Sequence, residues 1–189
     1  MSNDLMLDVG QANELKLAFR RADYSNDDIK RLCEGNVLAD VRRVLLGHAS
    51  IAVVSHVIDC DADPFVPECW SVEEHQKGGS FQWDASKFEL WLANGQKHGK
   101  VLQGNKLRKE MAKKVPFNAC VLDYLRGYPH LIPEEWKGKY VFFKGTVYRG
   151  GDGHLYVRCL RWGGNGWYWS QGWLEGYWFG DHPAAVRAS

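Results

Sequence analysis

Five of the nine tryptophans in this 189-residue chain, Trp162, Trp167, Trp169, Trp173 and Trp178, fall within seventeen residues. Between and just beyond them, as far as His182, the chain is mostly Gly, Asn, Ser, Tyr and Phe. Trp is a large rigid body that needs an apolar bed, whereas Gly and Asn accept turns and Ser and Asn supply adaptable hydrogen bonds. Two architectures reconcile these demands. One is an antiparallel sheet whose Trp are core and whose Gly mark bulges. The other is a displayed contact surface, because Tyr, Ser, Gly and Asn on a rigid frame are what recognition surfaces are made of.

The rest of the chain supplies a frame. Leu15, Phe19 and Ala22 recur at helical spacing. Ser25 with Asp28 forms a capping pattern for a second helix bearing Ile29 and Leu32, ended by Gly35. Asn36 is placed to cap a third, through Val37, Val41, Val44 and Leu45 to Gly47. The β-branched run 51–58 predicts a strand, the Pro-containing 59–67 a loop, and 87–92 another strand. Helices are expected over 104–114 and 118–126, then strands over 140–148 and 155–160 around the hairpin signal Gly150-Gly151-Asp152-Gly153. Helices first, mixed elements next and strands last make the expected class α+β, with a helical segment over 1–48 and a second domain over 49–189.

Composition removes several function classes. A net charge of +1 offers no global field for nucleic acid or an acidic membrane. Residues 1–50 hold seven Lys and Arg against eight Asp and Glu, so the second and third helices lack the basic footprint of a helix-turn-helix. They read better as a structural or oligomerising cap, and a DNA-binding regulator is the alternative reading. No apolar run approaches the roughly 20 residues of a membrane helix, and the N-terminus carries Asp4 and Asp8 where a secretory leader would be basic and then apolar. The expectation is a chain that is cytoplasmic as synthesised. Cys33, Cys60, Cys69, Cys120 and Cys159 form no CxxC pair, which favours free thiols.

No local motif carries catalysis. Asp59, Asp61 and Asp63 open like a calcium loop, but Pro64 stands where the sharp turn needs Gly and Trp70 where the bidentate Glu belongs. The seven His form no HxxxH, HxH or HxxEH pair. Nucleophile-elbow, phosphate-loop and dinucleotide fingerprints are absent. A Cys–His nucleophile pair, Cys120 with His130 for instance, would have to be assembled in space. No enzyme, metal or cofactor is expected.

The blocks FNACVLDYLRGYPHLIPEEWKGKYVFFKGTVYR, GDGHLYVRCLRW, W-x-W-x-x-x-W-L-x-x-x-W and PAAVRAS, with KLAFRRADYSNDDIKRL upstream, resemble the variable proteins of diversity-generating retroelements. In those systems a reverse transcriptase copies a template with errors at adenines and rewrites the end of a target gene. The resemblance implies a C-type lectin-like fold that presents the rewritten residues. Codon arithmetic agrees: Trp is encoded only by TGG, which holds no adenine, so the five Trp would stay fixed. Asn165, Tyr168, Ser170, Tyr177, Phe179, Asp181 and His182 are all reachable from Asn codons by change at adenine. Gln171 and Glu175 are not, which departs from the simplest template.

The expected contact residues are therefore Arg161, Asn165, Tyr168, Ser170, Gln171, Glu175, Tyr177, Phe179, Asp181 and His182. Trp162, Trp167, Trp169, Trp173 and Trp178 are the expected anchors in the core, within a variable region of about 161–182. The implied ligand is a macromolecule, protein before carbohydrate, because the Glu-Pro-Asn, Gln-Pro-Asp and Trp-Asn-Asp triplets of calcium-dependent lectins are missing.

Overall fold

Asp8 accepts the Gln11 N–H at 2.7 Å while Gln11 Oε1 accepts the Asp8 N–H at 3.1 Å, and this reciprocal box starts α1 (Val9–Arg21). Ser25 and Asp28 form the same box ahead of α2 (Asn26–Leu32), as expected from sequence. Asn36 stands before α3 (Val37–Leu45) but makes no side-chain capping bond, which departs from the expected cap. Gly47, at φ +73°, turns the chain out of α3, and the His48 N–H bonds the Arg43 carbonyl at 2.8 Å. A computed structural model describes residues 5–188 of the chain, which divides into two units, Met1–Val54 and Ser55–Ser189. No side chain of α1, α2 or α3 is buried, and no helix among the described residues is long and apolar enough to cross a membrane.

The expected strand over 51–58 shrinks to β1 (Val57–Asp59). Ile51, Val53 and Val54 are exposed and pair with nothing, because β-branched residues make a strand only where a neighbouring edge and an apolar face await them. The second unit continues through β2 (Ser71–His75), β3 (Ser80–Gln82), β4 (Phe88–Trp91), β5 (Leu102–Gln103), α4 (Gly104–Met111) and α5 (Ala119–Gly127). It ends with β6 (Tyr140–Phe142), β7 (Thr146–Arg149), β8 (Leu155–Trp162), β9 (Trp167–Trp173), β10 (Tyr177–Trp178) and β11 (Ala184–Arg187). The expected strand over 140–148 is two strands, parted at Lys144-Gly145. A Cβ on Gly145 would lie 2.9 Å from the Pro116 carbonyl, so the chain passes too close to its neighbour there for any side chain.

A seven-stranded sheet runs β2-β7-β8-β6-β11-β4, with β9 added on the free edge of β8. The smaller pairs β1–β3 and β10–β5 are both antiparallel. Register divides the sheet into two faces. Val141, Leu160 and Trp169 are cross-strand partners and face α5, where Val121, Leu122, Leu125, Phe143 and Trp136 complete one core cluster. Phe142, Cys159 and Ser170 are partners on the opposite face, where Val157, Leu107 of α4, Leu174 and Trp178 form a second cluster. Because both faces are covered, β6 reads as an unbroken apolar run, and β8 does too apart from Arg158 and Arg161. The chain is thus α+β.

Candidate functional site

Both ends of the tryptophan ribbon are tied into the sheet beside one strand. β6 pairs antiparallel with β8, where the ribbon leaves, and parallel with β11, where it returns. Between them β9 runs back along β8 in seven registered pairs from Trp162↔Trp167 to Tyr156↔Trp173. The Gly163 N–H bonds the Gly166 carbonyl at 2.8 Å and Gly164 takes φ +90°, so the glycines of the tip are there for the turn. Further on, buried Gln96 pins the last turn by donating to the carbonyls of Phe179 (2.8 Å) and His182 (3.1 Å).

Even spacing in a strand means one face. Trp162, Trp167 and Trp169 therefore share the α5 face, where they are half-buried; Trp167 and Trp169 pack against its core cluster. Lys137 Nζ lies 4.3 Å from the Trp162 ring centre. Trp178 is buried at 1% exposure in the other cluster. Trp173 does not anchor anything: it is 46% exposed and meets His154 edge-on. It closes β9 beyond the reach of the α5 cluster, opposite Tyr156, whose ring is already stacked on Trp70. Trp173 is a surface residue.

The ten expected contact residues separate from the anchors. Asn165, Tyr168, Gln171, Glu175, Tyr177, Phe179 and Asp181 are exposed; Arg161, Ser170 and His182 are half-buried; none is buried. They do not all share one face. Tyr140, Arg161 and Tyr168 form one cross-strand row, with Phe142, Cys159 and Ser170 in the next, on the face away from α5. Gln171 is sent to the α5 face opposite Arg158, and the Tyr168 hydroxyl bonds Asn165 Oδ1 at 2.9 Å at the tip.

Where this face meets β10, an open pocket of about 260 Å³ forms, bordered by Tyr140, Phe142, Trp173, Tyr177, Trp178 and His182. Gly172 is its floor, since a Cβ there would fall 2.8 Å from Phe142 and 3.0 Å from Trp178. His182 touches Tyr140, Phe142, Trp178 and Phe179 edge-on, with ring centres 5.3–6.0 Å apart. Burial lowers its pKa against the opposing pull of Asp181, whose carboxylate is 3.6 Å away. Lys144 lies over Trp178, its Nζ 3.1 Å from the ring centre and without a hydrogen-bond partner. Desolvation drives this amine well below the usual lysine range. The ring face pulls the other way, but by about 2 kcal/mol against a burial penalty of several. Sequence reasoning missed Tyr140, Phe142 and Lys144, although even spacing along W-x-W-x-x-x-W would have sorted the ribbon by face.

Cys120 finds a histidine other than the one expected. His130 packs against His56 and Tyr128, while Cys120 Sγ lies 4.0 Å from His75 Nε2. Thr146 Oγ1 accepts the Ala119 N–H and lies 2.9 Å from His75 Nδ1, while His75 Nε2 lies 3.2 Å from the Cys60 carbonyl and 3.3 Å from Asn118 Nδ2. Asn118 closes the network onto the Cys60 and Gln76 carbonyls. The thiol itself donates to the Ala62 carbonyl at 3.2 Å, the shorter of its two contacts. Burial pushes Cys120 up to about 12, opposite to the shift a nucleophile needs. In the acidic loop, Asp59 accepts the Asp61 N–H, and Asp61 accepts those of Gly78 and Gly79 at 3.0 Å, so these carboxylates staple backbone.

No family model, curated protein or solved structure matches the chain.

Proposed function

We propose that this chain is a ligand-binding protein that displays a C-terminal surface diversified by a retroelement, on a C-type lectin-like frame. One observation carries the reading: none of the ten expected contact positions between Arg161 and His182 is buried, while Trp162, Trp167, Trp169 and Trp178 are half-buried or buried. A surface can be rewritten without unfolding the protein only if its variable side chains contribute little to the core. The double anchorage of the ribbon on either side of β6 supplies the rigidity that recognition by exposed loops requires. The partner is a macromolecule, protein in preference to carbohydrate, because exposed Tyr168, Tyr177 and Phe179 are the residue types that dominate protein interfaces.

Deep sequencing of the gene across a growing host population tests the proposal. Substitutions concentrated in codons 161–182, at adenines of a nearby near-copy, with all five Trp codons unchanged, are expected. A uniform spread along the gene, or no such copy, overturns diversification. Sequence-specific, salt-dependent DNA binding by the full chain would move the function to α2 and α3.

A further inference from the structure

We propose that two copies of this chain join through the free edge of β9, in antiparallel pairing about a two-fold axis at Trp169. The pairing stands on backbone geometry alone; only its use in binding rests on the ribbon being the contact surface.

A sheet edge is a template for a further strand, and proteins blunt such edges with charge, bulges or short length. Among the edge strands of the large sheet, β2 and β4 are treated in this way. β2 carries Glu73 and Glu74, held by Arg149 and Arg108, and its register shifts between Val72 and Glu74. β4 has only four residues, and its Glu89 is paired with Lys114. β9 runs for seven residues with no charge and no proline, and its register with β8 is unbroken. This edge is left bare.

Alternation decides which of its backbone groups face outward. Bonded residues close both ends of the hairpin, Gly163 with Gly166 and Leu174 with Leu155, each at 2.8 Å. Antiparallel ladders alternate bonded and non-bonded pairs, so Tyr168, Ser170 and Gly172 bond β8 while the amides and carbonyls of Trp167, Trp169 and Gln171 turn away from it. Among the described residues, no other backbone group takes these up. The rings leave the edge clear. That of Trp169 sits 4.8 Å from the Arg158 guanidinium and that of Trp167 5.5 Å from Trp162, both on β8.

The edge complements itself. Trp167, Trp169 and Gln171 each offer one donor and one acceptor, and a half-turn about Trp169 lays this row on its own image. Trp169 then exchanges two bonds with Trp169 of the second copy, and each Trp167 exchanges two with a Gln171, about six in all. Between them Tyr168 stands opposite Ser170, a large side chain against a small one. At one hydrogen bond per 100–200 Å², six bonds correspond to about 600–1,200 Å² of buried surface, the weak end of specific interfaces. A dissociation constant on the order of 10 µM follows. A foreign strand would have to match this spacing with no charge at the join, whereas a second copy does so by identity and repeats every contact it gains.

Backbone bonds do not depend on the side chains at 168 and 170, so the joint survives rewriting there. It lays Tyr168 and Ser170 of both copies on one face of a continuous sheet, and a ligand with two matching sites gains by avidity.

The test uses the full chain, followed by sedimentation equilibrium and by amide hydrogen exchange read residue by residue. A monomer–dimer equilibrium is expected. The amides of Trp167, Trp169 and Gln171 should slow about fivefold between roughly 1 and 200 µM protein, while those of Tyr168, Ser170 and Gly172 are protected throughout. Gln171→Pro removes one outward N–H, which an edge strand tolerates, and should give a monomer with unchanged tryptophan fluorescence. Gln171→Ala keeps that N–H and should keep the dimer. A monomer at every concentration, a dimer that persists in folded Gln171→Pro, or a dimer whose amides at 167, 169 and 171 exchange as fast as the monomer's overturns the inference. If Gln171→Pro does not fold, the amide pattern of the wild type decides. None of these results touches the diversification reading, which fails only on the sequencing outcome above.

Discussion

Replacing Asp123 by Asn removes the carboxylate from a guanidinium that has no contact with water. The Arg158 side chain is 0% exposed and that of Asp123 24%. Arg158 Nη2 donates to Oδ1 at 2.7 Å and Nη1 to Oδ2 at 3.0 Å, with a further bond from Nη1 to the Phe65 carbonyl at 3.2 Å. The plane lies among the rings of Trp169 (4.8 Å), Phe65 (5.0 Å) and Tyr148 (5.9 Å), and Nε has no partner. Breaking a buried pair by removing one member costs about 3–5 kcal/mol. The lower end applies here, because Asp123 is partly solvated and Asn keeps one acceptor, giving about 3 kcal/mol. For a domain of this size that corresponds to a fall of roughly 10 °C in Tm. All nine Trp lie beyond Ser55, so tryptophan fluorescence reports on the Ser55–Ser189 unit alone during urea or thermal unfolding. The paired change Asp123→Leu with Arg158→Met should recover most of the loss, since an apolar pair needs no desolvation. A loss below about 1 kcal/mol, the scale of a surface ion pair, would refute the reasoning.

Three further outcomes follow from the same geometry. Lys144→Met removes an unpartnered buried amine and should stabilise the protein by about 1–3 kcal/mol at pH 7. The folded amine titrates below the unfolded one, so the unfolded state binds more protons between the two; wild-type stability should rise with pH towards about 10.5, and the variant should lack that slope. A flat wild-type profile in urea titrations would contradict this. Burial holds Cys60 at about 11 and Cys120 and Cys159 at about 12, while Cys33 and Cys69 are exposed. A thiol reagent at pH 8 should therefore label Cys33 and Cys69 quickly and the other three only on unfolding, as read by peptide mass mapping. Tyr177→Ala should change stability by under about 0.5 kcal/mol, whereas Trp178→Ala should cost about 3–5 kcal/mol; comparable losses in chemical denaturation would abolish the division between contact residue and post.

The α+β class, the capping of α2, the strands around Gly150–Gly153 and the split of the ribbon into tryptophans and small polar residues were legible in the sequence. Each rests on residues within a few positions of one another: Ser25 meets Asp28 in the first turn of its helix, and the glycines at 163, 164 and 166 make the tip they sit in. What the tertiary structure decided depends on partners far along the chain. The run 51–55 has strand-forming residues but no edge to pair with, and 140–148 breaks because Gly145 passes under the Pro116 carbonyl. Trp173 has the same side chain as Trp169, yet one sits over Arg158 and the other at the end of β9 in solvent. His75 reaches Cys120 from forty-five positions away, leaving His130 elsewhere. The ribbon itself was visible as a composition, but its pocket was not. Tyr140 and Phe142 face it only because β6 lies between the two strands that hold the ribbon's ends. Strand alternation can be read along one segment; which segment lies alongside is set by burial of the whole core.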